Sequence, residues 1–122
     1  MKYVLTLFAL ISVLAISCKD DDANPNPTEN QSLCDSIDVT YEGHVKSLID
    51  ASCATGYCHA SGAGGKYMTN YEETKASADY AGFLLAIKHQ TGAAPMPKGS
   101  SKLSDADIQV LECWIQNGFK EK

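Results

Sequence analysis

The sequence predicts a small, mostly α-helical domain with long loops, and three observations predict it. Apolar residues recur at helical spacing in three separate stretches of the 122-residue chain. Asn70 and Ser104, residue types that cap helix N-termini, stand just ahead of two of the expected helices. No stretch alternates apolar and polar residues as a half-buried strand would, and there is no internal repeat.

The first residues read differently from the rest. Lys2 is followed by an apolar run from Tyr3 to Ile16, broken only by Thr6 and Ser12 and ending in small residues before Cys18. This is the pattern of a secretion signal over residues 1–17. A retained membrane anchor is the competing reading, but the run falls short of the about 20 apolar residues a spanning helix needs, and an acidic stretch follows at once. Ala15-Ile16-Ser17-Cys18 resembles a lipobox, the site at which bacterial lipoproteins are cleaved and acylated, with Ala15 where Leu is usual. Cys18 is therefore the expected lipidation site. Lys19-Asp20-Asp21-Asp22 resembles the signal that sends some lipoproteins to the outer face of the outer membrane, although a merely solvated tether reads the same way. The expectation is an outer-membrane lipoprotein, exposed at the surface or facing the periplasm, with a polar tether over residues 18–33. Pro25 and Pro27 stiffen that tether, and its lack of apolar residues leaves it nothing to bury.

Residues 34–122 remain for the folded unit. So small a core gains much from a covalent staple, a metal or a large apolar cofactor. Between Thr40 and Ser52, Tyr41, Val45, Leu48 and Ile49 share one helical face, and Cys53 closes the helix. From Cys53 to Lys66, Gly56, Gly62, Gly64 and Gly65 break any regular element. Asn70 caps a short helix whose first turn carries Glu72 and Glu73, well placed against the positive helix end. Tyr80 to His89 is a further helix through Phe83, Leu84 and Ile87, stopped by Gly92. Pro95 and Pro97 hold Met96 in an extended loop. Ser104 with Asp107 resembles a capping box ahead of Ile108, Val110, Leu111, Trp114 and Ile115, and Gly118 sits where a left-handed C-cap residue belongs.

Cys34, Cys53, Cys58 and Cys113 remain once Cys18 is set aside. A cysteine followed directly by histidine, with another cysteine shortly before, is the arrangement that attaches c-type haem, and Cys58-His59 after Cys53 is such an arrangement. Two thiols add to the two vinyl groups, and the adjacent imidazole falls under the iron. Cys53-Ala54-Thr55-Gly56-Tyr57-Cys58-His59 has four residues between the cysteines where two are usual. The extra pair must bulge outward, and Gly56 is the residue expected to permit it.

The order of parts after Cys58-His59 is a glycine-rich loop, two short helices, Ala94-Pro95-Met96-Pro97 and a capped terminal helix with Trp114. Over Tyr41 to Phe119 this resembles the class I cytochrome c domain found in small bacterial haem lipoproteins. The resemblance implies a helical domain around one covalent haem, with His59 as one axial ligand, Met96 as the other, and Trp114 packed on the first helix near Gly43. Met68 is the fallback ligand. His44 and His89, each on the polar side of a helix, are expected at the surface but would be substitutes if the Met96 loop pointed away. With haem on Cys53 and Cys58, an oxidising compartment would pair Cys34 with Cys113.

The function so implied is that of an electron carrier, not an enzyme. Cleavage of the signal removes Lys2 and no acid, taking the net charge from −5 to about −6, a balance that repels nucleic acid and suits cationic redox partner proteins without naming one. Three other readings stay open. They are a haem-free disulfide-stapled surface binding module, with Cys53 and Cys58 paired to each other or to Cys34 and Cys113, a haem sensor with an open sixth position, and a zinc site using cysteines with His59.

Overall fold

The structure, a computed structural model, describes residues 33–122. The signal over residues 1–17, Cys18 and the tether up to residue 32 lie outside the described residues. Within them the chain is helical and forms no strand, as its periodicity predicts.

The first helix, α1, opens as a π-helical turn over Tyr41–Val45 and continues as regular α-helix over Lys46–Ser52. Thr40 caps it by accepting the Gly43 N–H on its hydroxyl, and the Thr40 carbonyl takes both the His44 and Val45 N–H groups, which widens the first turn. Tyr41, Val45 and Ile49 are buried, while Leu48 is only partly covered. α2 spans Tyr71–Ala78. Its cap is as expected: the Asn70 side chain accepts the Glu73 N–H at 3.0 Å. The Glu73 carboxylate takes the Thr69 N–H and hydroxyl, and these bonds hold it below the usual carboxylate range.

The expected Tyr80–His89 helix is shorter. α3 covers only Phe83–Ile87, because Tyr80 is exposed and Gly82 provides the N-cap. It ends before Gly92, at Lys88 and a left-handed His89 with φ 54°, so Gly92 belongs to the turn beyond and does not stop the helix. Lys88 reaches across to the nearly buried Glu112, tying the end of α3 to the last helix.

That helix, α4, spans Asp105–Gln116 and buries Ile108, Leu111, Cys113 and Trp114, with Val110 and Ile115 at the core margin. Ser104 caps it through Asp107 N–H at 3.1 Å. The reciprocal half of the expected capping box is missing, because the Asp107 side chain is too short to reach the Ser104 backbone. Its carboxylate takes the Ser104 hydroxyl proton instead. At the other end Gly118, φ 79°, makes the left-handed turn the sequence predicts. Gly118 N–H bonds to Ile115 O, Phe119 N–H bonds to Trp114 O, and the Phe119 and Trp114 rings meet edge to face at 5.0 Å.

The chain ends are sewn together. Tyr41 N–H and Glu42 N–H, orphan donors of α1, bond to the carbonyls of Lys120 and Glu121. Trp114 Nε1–H donates to Lys120 O, Tyr71 O–H donates to Phe119 O, and Asn117 donates to the carbonyls of Cys34 and Ile37. Trp114 packs on α1 through the Tyr41 ring, in the same π turn that holds Gly43. Gly43 lies further along the α1–α4 groove beside Asp107 and Val110, because Gly43 is on the exposed side of the π turn.

Cys34 and Cys113 are joined by a disulfide with Cα atoms 4.8 Å apart. It closes a loop spanning 79 positions, so in the chain-entropy treatment it contributes up to about 4 kcal/mol. Cys34→Ser with Cys113→Ser is expected to lower the urea midpoint accordingly. A midpoint unchanged by the double substitution would show that the bridge does not form in solution.

Candidate functional site

A half-open cavity of about 980 Å³ lies between the loop after α1, the end of α2, α3 and the loop that follows α3. Its size is at the top of the about 300–1,000 Å³ typical of small-molecule and cofactor sites. Cys53, Cys58, His59 and Met96 all line it, from opposite sides of the sequence. Its walls are rich in Gly and Ala, which let a flat group come close to the backbone, and add Phe83 and Ile87 as apolar bulk. Among the described residues, the charged ones on its lining are Lys66 and Lys98, with no acid.

The loop from Cys53 to Lys66 is held by its own backbone. His59 N–H bonds to Cys53 O at 3.1 Å, closing the segment between the cysteines, and Cys58 N–H bonds to Thr55 O inside it. Ala54 stays against the core, while Thr55, Gly56 and Tyr57 project outward, leaving Tyr57 99% exposed. Gly56 is not what permits this. Its φ is not left-handed and a Cβ there would meet open space, so the turn from Thr55 to Cys58 and the Ser61 hydroxyl bonded to Gly56 O shape the bulge. Gly62 does need to be glycine: φ is 73° and a Cβ would strike the Tyr67 ring.

His59 Nδ1 lies 3.0 Å from Lys66 O. A carbonyl only accepts, so Nδ1 carries the hydrogen, and in the neutral ring Nε2 keeps its lone pair. The other histidines are used differently. His44 Nδ1 accepts the Thr40 N–H, and His44 lines a small groove with Ser47 and Asp107. His89 Nε2 bonds to Met96 O at 3.1 Å. Neither lines the large cavity, which separates them from His59. Met68, the fallback ligand, is a core residue 2% exposed whose N–H bonds to His59 O, so it belongs to the His59 wall. Met96 reaches the cavity from the loop after α3, half-buried, with its N–H bonded to Ala86 O and its peptide to Pro97 cis.

Cys53 is half-buried and Cys58 exposed, and both are free thiols. Burial, and secondarily the neighbouring Cys58, push the Cys53 thiol up to about 11. Held protonated at neutral pH, it is a slow partner in disulfide exchange. The Cys34–Cys113 bridge rules out the pairings that would join either of them to Cys53 or Cys58. Among the described residues no three His, Cys, Asp or Glu side chains converge as a zinc site would require.

Two features of the site have no signal in the sequence. Lys66 takes part through its carbonyl, which any residue supplies, and His89 reaches Met96 through a loop whose path only the folded chain defines. Comparison with protein-family models, curated proteins and solved structures finds no match to the chain.

Proposed function

We propose that this is a c-type cytochrome, similar in plan to the class I domains, holding one covalent haem and passing single electrons outside the cytoplasm. The observation that carries the reading is His59: its Nδ1–H is taken by Lys66 O, its Nε2 lone pair is left for a metal, and it lines the same cavity as Cys53, Cys58 and Met96. A ligating histidine is ordinarily fixed by such a bond from its other nitrogen.

The residues fit the group in size, apolarity and donor set. Cys53 and Cys58 would hold the group covalently through their thiols. His59 and Met96 would hold its iron, and Lys66 and Lys98 supply positive charge on the cavity lining. Bound haem supplies an iron that changes oxidation state by one electron, and a thioether opposite histidine raises its potential above that of bis-histidine ligation. The chain's own part is to keep both ligands in place so that little reorganises. With no Asp or Glu among the described residues of the cavity wall to act as an acid/base group, carriage fits better than peroxide chemistry.

A lipid anchor at Cys18 and redox proteins as partners complete the proposal, with the surface of the outer membrane or its periplasmic face as the location. The test is colour. Protein made in a strain with a haem-attachment system is expected to be red, with a Soret band that stays with the polypeptide through acid-acetone extraction. Colourless protein, or haem that extracts, would defeat the proposal.

A further inference from the structure

We infer that His89 is a positioning residue that braces the Met96 loop for axial ligation, an inference that rests on the reading of Met96 as the second ligand. Met96 has both of its backbone polar groups tied to one short segment: its N–H donates to Ala86 O at 3.0 Å, and its carbonyl accepts from His89 Nε2–H at 3.1 Å. Ala86 lies within α3 and His89 just past its end. The two bonds pin Met96 to the last turn of α3, so the thioether is the part of the residue still able to move. His89 is suited to the brace because it turns left-handed, φ 54°, immediately after the helix, which swings its ring back toward the loop. Since a carbonyl cannot donate, Nε2 carries the hydrogen, and this nitrogen is committed to the loop and not offered to a metal.

Without the brace the ligand loop opens more readily, and an external ligand competes better for the iron. The test uses the full-length haem-loaded protein, oxidised, with two readouts: the weak far-red band of a sulfur–iron bond and titration with imidazole. His89→Ala is expected to weaken the band and tighten imidazole binding about fivefold, the effect of losing one neutral hydrogen bond. His89→Gln, whose amide reaches a similar distance, is expected to restore most of both. Wild-type imidazole affinity and an unweakened band in His89→Ala would overturn the inference alone. So would an effect that His89→Gln does not relieve. A wild-type protein with no far-red band, unchanged in spectrum by Met96→Ala, would instead overturn the axial reading of Met96, and the brace with it.

Discussion

Replacing Cys53 and Cys58 together by alanine is expected to abolish covalent haem. Both thiols line the cavity beside His59, and neither takes part in the Cys34–Cys113 bridge or the aromatic packing that closes the domain. Denatured wild-type protein should hold its haem on a gel, and the double variant should hold none. Each single variant keeps one thiol and should retain haem by one bond, with a shifted spectrum. His59→Ala, with both thiols intact, is expected to hold haem covalently but with a high-spin iron, because neither His44 nor His89 lines the cavity to replace it. A normal low-spin spectrum in that variant would move the ligand elsewhere and sink the assignment of His59.

Trp114→Ala is expected to be the most damaging substitution to stability. The side chain is fully buried, with its ring 6.0 Å from Tyr41, 6.4 Å from Tyr71 and 5.0 Å from Phe119. Truncating so large a buried aromatic costs roughly 3–5 kcal/mol, against a typical domain stability of about 5–15 kcal/mol. Trp114→Phe separates packing from bonding. It keeps a ring in place and removes one of the two donors to Lys120 O, the Tyr41 N–H remaining, at a cost of about 0.5–1.5 kcal/mol. Urea unfolding with an unchanged slope should rank wild type, Phe and Ala in that order. An alanine variant as stable as wild type would mean the cluster is not the core of the domain.

Much of the fold was legible because it is local. The Asn70 and Ser104 caps, the Gly118 turn and the buried faces of α1 and α4 follow from residue type and spacing alone. The errors fall where tertiary context overrides such signals. α3 lost its first residues to an exposed Tyr80, and its stop passed from Gly92 to His89, whose unusual backbone goes with the bond to Met96. Of the site, Cys53, Cys58, His59 and Met96 were visible as chemistry-bearing side chains. That they share one cavity depends on loop paths, and the bonds that orient His59 and Met96 end on backbone carbonyls, which carry no residue signature.

The stitching of α1 to the final residues bears on the order of events during synthesis. Tyr41 and Glu42 find their acceptors only in Lys120 and Glu121, and Cys34 finds its partner only at Cys113. These are the least local contacts of the domain, and contacts of large sequence separation form late. A chain emerging N-terminus first can assemble its capped helices one by one, but it cannot lock until its last few residues are free. Until then the first turn of α1 lacks its acceptors and the bridge stays open, while the loop bearing Cys53 and Cys58, held by its own local bonds, can already form.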